Sequence, residues 1–174
     1  MRRVLVTGMS GTGKSSALAG LAARGHRVVD TDDPGWSDWL PIGDRVEGDR
    51  VWVEGAMATL LEDAGGRPLV VSGCVSNQGR FYDRFDAVVL LSAPADVLLG
   101  RIAERTTNTF GKDDEQRRRI LDDLAAVEPL LRASATYELD ARCPLAEVVD
   151  ALDAIAREGA PSGAVVVRAP GSGQ

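Results

Sequence analysis

Lysine is nearly missing from this chain of 174 residues: of 20 basic side chains only Lys14 and Lys112 are lysines. The arginine skew, alongside abundant Ala, Gly and Val, reads as a GC-rich coding genome, so arginine abundance alone carries no functional meaning. Cysteine is scarce too. Cys74 and Cys143 have no metal-ligand spacing and read as two structural thiols in a reducing compartment. The one histidine, His26, precedes an apolar run and reads as structural. No stretch approaches the roughly 18 apolar residues of a membrane helix. The apolar run in MRRVLVTGMSG is too short for a secretory leader. A net charge of −6 speaks against a nucleic-acid-binding surface, which needs clustered basic side chains. These absences predict a cytoplasmic protein with neither a membrane nor a nucleic acid as partner, acting as a monomer or homodimer.

What is present is ordinary for a globular domain: 44% hydrophobic and 26% charged residues. Short apolar runs alternate with helical periodicity. RVLVT (3–7), HRVVD (26–30), RPLVVSG (67–73), FDAVVLLSA (85–93) and TYELD (136–140) read as five strands. Around them, 13–25, 51–66, 95–106, 112–135 and 144–159 read as helices, with Pro129 expected to kink the fourth or to start a new one. Residues 33–50 are rich in Gly, Pro and Asp and read as loop or short helix. The tail, 158–174, reads as flexible, although AVVVR within it has the pattern of an edge strand. This alternation predicts an α/β fold: a five-stranded parallel sheet between two helical layers, with the site at the carboxyl ends of the strands.

At the first of those ends lies GMSGTGKS, Gly8 to Ser15, which fits G-x-x-x-x-G-K-[ST] at every defined position. It follows a strand and opens a helix, as a P-loop must. The glycines let backbone N–H groups converge on a polyphosphate, and the helix N-terminus adds its positive end. Ser10, Gly11, Thr12, Gly13, Lys14, Ser15 and Ser16 are therefore expected to bind a nucleoside triphosphate, ATP or GTP. Lys14 would reach the outer phosphates, and the Ser15 hydroxyl would bind Mg²⁺. The N-K-x-D base-reading motif of switch GTPases is missing. Strand 67–73 ends VVSGC, without the acidic residue of ATPase motors.

At the second end, DTD (30–32) places two carboxylates opposite the terminal phosphate. One suits Mg²⁺ and the other suits an acceptor hydroxyl. P-loop and DTD together resemble the shikimate kinase, gluconate kinase and adenylate kinase group of small P-loop phosphotransferases, over about residues 1–157. The resemblance implies a three-layer P-loop kinase fold with an acceptor cap at about 33–66 and a lid at about 105–116. It implies Asp30 for the metal and Asp32 for the acceptor. Arg101 would lie over the nucleotide base and Arg105 would clamp phosphates. Arg142 and Pro144 fall in the group's base-binding loop.

Two departures set this chain apart from shikimate kinases. Their Gly-Gly-Gly appears as Ser72-Gly73-Cys74, and their substrate-binding Arg before the fifth strand falls on Val127. Other side chains must then line the acceptor site. Trp36, Trp39 and Trp52 in the cap segment suit the face of a ring. Asn77, Gln78, Arg80, Tyr82 and Arg84 follow the third strand, and Glu54 is placed to orient an arginine. Gly73, Arg80 and Arg84 are further expected acceptor contacts. The reading is an Mg²⁺-dependent kinase acting on a hydroxyl of a small molecule, a metabolite or an antibiotic. Chloramphenicol phosphotransferase is a P-loop precedent for the latter. A nucleoside monophosphate kinase and a non-catalytic nucleotide switch or regulatory ATPase are the alternatives.

Overall fold

The continuous apolar strands alternate sides once they are paired. The structure, a computed structural model, describes residues 1–41, 48–63, 65–104, 113–160 and 166–167. β1 (Arg3–Thr7), β2 (Arg27–Asp30), β5 (Leu69–Ser72), β6 (Ala87–Ser92) and β7 (Tyr137–Asp140) are parallel, in the order β2-β5-β1-β6-β7. Val4, Val6, Val70, Val89, Leu91 and Leu139 face one side. There they meet Leu18 and Leu21 of α1 (Lys14–Ala23) and Leu152 and Ile155 of α5 (Leu145–Glu158). α1 and α5 pack closely enough that a Cβ on Gly20 would lie 2.7 Å from Val149. His26 is buried and bonded through Nε2 to Asp153 of α5, the structural part expected of it.

The opposite face carries Leu5, Val71 and Val88. They pack on Met57, Leu60 and Leu61 of α2 (Glu54–Glu62) and on Phe81 and Phe85 at a 3₁₀ helix, Gln78–Arg84. Both sheet faces are therefore covered, which explains strands without a polar side. α3 (Ala95–Glu104) follows β6, and α4 (Asp114–Ser134) leads back to β7.

One element differs from the sequence reading, and two others bear on points it left open. Residues 37–52 contain an antiparallel hairpin, β3 (Ser37–Leu40) with β4 (Asp49–Trp52), and the following helix starts only at Glu54. Trp52 decides this. It is 1% exposed and stacks edge-on against Phe81 at 5.6 Å between centroids, so its strand must reach the core. Pro129 sits inside an unbroken α4, and no second helix begins there. One turn onward Arg132 bonds Glu128 at 2.7 Å and both oxygens of Glu138 on β7 at 2.9–3.1 Å, which ties that end of the helix to the sheet. Finally, Val166–Val167 form β8, antiparallel to β7, so at these two residues the tail is an edge strand. The other residues from 161 onward lie outside the described residues, as does the lid from 105 to 112. Asp113 instead caps α4, accepting from the Gln116 N–H at 2.8 Å.

Glu138 makes acid stability testable. Burial pushes its carboxyl up, but the hydrogen bonds from Arg132 and Ser92 outweigh that and hold it below 4.5. A lowered folded value means that the stabilisation is fully present above the unfolded value and is lost as pH falls through the folded one. Denaturant midpoints measured from about pH 7 down to about pH 3 should fall below pH 4.5. Glu138→Gln should flatten that acid limb without abolishing it, because Asp140 and Asp153 are also held below their ordinary value.

Candidate active site

β1 ends at Thr7, and the loop to α1 turns on glycines with positive φ: Gly8 at 144°, Gly11 at 86° and Gly13 at 88°. Gly8 admits no side chain, since a Cβ there would stand 2.3 Å from the Leu91 carbonyl oxygen. A Cβ on Gly11 would stand 3.0 Å from the Leu98 carbonyl oxygen, so the loop lies directly on α3. Thr12 is buried, and its hydroxyl donates to the Met9 carbonyl at 2.9 Å. That side chain therefore braces the loop, and only its backbone remains for phosphate. Ser10 is half-buried, and Ser16 is exposed in the first turn of α1. Lys14 Nζ donates to the carbonyls of Gly8 and Met9 at 2.7 and 3.2 Å, which holds the ammonium against the loop.

Ser15 Oγ donates to Asp30 Oδ2 at 2.7 Å. The structure thus joins the P-loop hydroxyl and the first aspartate of DTD. A hydroxyl and a carboxylate at one point are hard oxygen donors of the kind Mg²⁺ takes, with water and phosphate completing its shell. Among the described residues no group of three or more His, Cys, Asp or Glu forms a metal cage. Mg²⁺ needs none when phosphates supply the rest, so the residues present fit it.

After Asp30 the chain turns instead of continuing extended. The Asp33 N–H donates to the Asp30 carbonyl at 3.1 Å, and the Asp32 N–H to Asp30 Oδ1 at 3.1 Å. Thr31 points inward, its hydroxyl donating to the Ser72 carbonyl at 2.8 Å and accepting from Trp52 Nε1 at 2.9 Å. Asp32 stays exposed and pairs with Arg50 Nη1 at 2.5 Å. Arg50 Nη2 also reaches the Thr31 carbonyl at 3.1 Å. The sequence reading missed Arg50, because the hairpin that carries it was read as loop and helix. Once β4 is a strand, Arg50 and Trp52 share a face, and both side chains reach the Thr31–Asp32 turn. Trp39 is Arg50's partner across the hairpin, so the two share a face, and Trp39 is 65% exposed.

Other expected acceptor residues divide. Glu54 meets Arg80 at 2.5 Å, and Arg84 meets Glu62 at 3.2 Å. Trp36 is half-buried and lines a cleft of about 580 Å³ with Gly55, Ala56 and Thr59. Trp52 belongs to the core. Gly73 is buried, and a Cβ there would meet Thr31 Oγ1 at 2.2 Å, so the position has no room for a side chain. Asn77 bonds both main-chain groups of Trp52, at 2.8 and 3.1 Å, and pins the hairpin. Gln78 is buried and donates to Tyr82 Oη at 2.9 Å.

On the nucleotide side, Arg101 Nη2 donates to the Ala141 carbonyl at 2.7 Å and Nη1 to Gly11 at 3.4 Å. It ties the P-loop to the loop after β7. Arg142 clasps Asp140 through bonds of 2.6–3.0 Å, which hold that carboxyl below its ordinary value. Pro144 is exposed at the N-cap of α5. Arg105 and Lys112 lie outside the described residues.

A family model described as AAA domain matches residues 4–122. The chain belongs to the AAA domain family. No curated protein matches. The fold of this AAA domain is that of the small P-loop kinases its motifs resemble. Shikimate kinase from Acinetobacter baumannii, in complex with shikimate, is similar at a TM-score of 0.56 and 16% identity, over 89% of this chain and 92% of that one. A sugar kinase from Janibacter sp. HTCC2649 is similar at 0.54 and 23%, over 89% and 92%. A gluconokinase from Sinorhizobium meliloti 1021 is similar at 0.51 and 24%, over 85% and 87%.

Gly8→Ala tests the loop. With φ at 144° and a backbone oxygen 2.3 Å from the new Cβ, the loop must shift. Titration with a fluorescent ATP analogue should show at least about a tenfold loss of affinity, since that backbone approach is what a phosphate requires. Unchanged affinity would refute the role of the loop.

Proposed function

We propose that the protein is a kinase that moves the γ-phosphoryl group of ATP or GTP to a hydroxyl of a small molecule. The observation that carries this is the Ser15–Asp30 contact with Asp32 two residues on, at the carboxyl end of β2. An anion-binding loop joined to a metal-type oxygen pair, with an exposed carboxylate two residues further along the chain, supports this reading. The names of the similar structures, a shikimate kinase, a sugar kinase and a gluconokinase, support the same chemistry.

Ser15 and Asp30 would hold Mg²⁺, which when bound neutralises phosphate charge and orients the triphosphate. Lys14 swings from the Gly8 and Met9 carbonyls to the outer phosphate oxygens. Asp32 orients the acceptor hydroxyl and takes its proton as the acceptor oxygen bonds to the γ-phosphorus. The bond from that phosphorus to the bridging oxygen breaks, leaving a nucleoside diphosphate and a phosphomonoester. Arg50 fixes the Asp32 carboxylate, and Trp36 and Trp39 offer ring faces beside it. Arg101 holds the two loops that flank the base, with Arg142 and Pro144 at its rim. We assign Arg105 to the transferred phosphoryl group. The setting is cytoplasmic, and the acceptor is a metabolite or an antibiotic. Among the described residues no helix is long and apolar enough to cross a membrane.

Family membership also fits a regulatory ATPase. Dependence on the acceptor separates the two: a kinase stays slow alone and accelerates with its acceptor.

Asp32→Asn keeps the side chain's size and removes its basicity. Transfer should fall by about 10²–10⁴, the usual worth of a positioned base, while nucleotide affinity stays within about twofold. Loss of the exposed pair with Arg50 should cost stability no more than about 1 kcal/mol. Normal transfer by this variant would remove Asp32 from the mechanism.

A further inference from the structure

Every described arginine on the acceptor side is joined to a carboxylate of the chain itself. Arg50 holds Asp32, and Arg80 holds Glu54. Asp33 and Asp38 add negative charge to the same segment. Exposed ion pairs are individually weak, so a pair by itself does not bar an incoming anion. The local sum of charge does. An acceptor carboxylate that took Arg80 would leave Glu54 uncompensated within the same contact, and one that took Arg50 would displace the carboxylate needed for the proton. In either case one anion replaces another on a single cation, beside a triphosphate that is itself negative. Like-charge juxtaposition of this kind excludes a partner more effectively than a missing contact does. A neutral hydroxyl-bearing molecule meets no such cost. It donates to Asp32 or Glu54, accepts from Arg50 or Arg80 while the pairs stay closed, and lays an apolar face on an indole.

We propose, resting on the kinase reading, that the acceptor is an uncharged polyhydroxylated molecule of sugar or nucleoside type that carries neither a carboxylate nor a phosphate. This sets the chain apart from kinases of sugar acids and of nucleoside monophosphates.

The test uses the full chain with Mg²⁺ and γ-labelled ATP, and in parallel GTP. A small-molecule cell extract is first split on an anion exchanger into unretained and retained fractions, and each is offered as acceptor. Label should enter the unretained fraction at least about tenfold faster than the retained one, as expected when like charges repel at the site. Label confined to the retained fraction would overturn the inference and leave the kinase reading standing. Label in neither would overturn the kinase reading, and the inference with it. Glu54→Gln, which frees Arg80, should raise labelling of the retained fraction several-fold relative to the wild type. An unchanged distribution would overturn the part given to that pair.

Discussion

Thr31 is drawn into the protein by the Ser72 carbonyl on one side and the Trp52 indole N–H on the other. Its own N–H also bonds the Ser72 carbonyl, at 2.9 Å. The residue is fully buried, and its neighbours in the chain are turned outward as a consequence. Asp30 meets the P-loop hydroxyl, and Asp32 meets the hairpin arginine. One buried hydroxyl therefore joins three parts of the molecule: the sheet through β5, the cap through Trp52, and the acidic end of β2. Gly73 belongs to the same arrangement, since any side chain there would strike the Thr31 oxygen.

The nucleotide half of the site depends on a second constraint. The P-loop is wedged between β6 and α3, where Gly8 and Gly11 permit contact with backbone oxygens. Arg101 then reaches from α3 to both the P-loop and the loop after β7. The P-loop and the loop after β7 are thus held together by one side chain from a third element. The hairpin has its own frame, in which Asn77 bonds Trp52 and Arg50 pairs with Asp32.

The sheet was legible in the sequence because apolar runs of strand length alternated with helices, and the P-loop because glycine and lysine positions there follow from phosphate geometry. DTD was legible as a carboxylate pair, but Thr31 between its members was not, since its inward bonds depend on Ser72, 41 positions away. The hairpin was illegible for a local reason. Its strands are four residues each, joined by residues rich in Gly, Pro and Asp, and β4 runs within two residues into α2. A helical pattern absorbed it, and Arg50 with it. Of the two effects expected of Pro129, a second helix does not begin there, and one turn onward Arg132 holds α4 to β7. The bonds of Asn77 to Trp52, those of Gln78 to Thr7 and Tyr82, and the fit of Gly73 against Thr31 depend on packing that the local sequence does not display.

The hairpin is anchored at Trp52 and open at Trp39 and Leu40. None of its residues belongs to the strands that carry the phosphate machinery. Such a part can vary by exchange at its outer positions while the frame beneath stays put. Substitutions can therefore accumulate in this β-ribbon while the five parallel strands and the glycine loop beneath it keep their geometry.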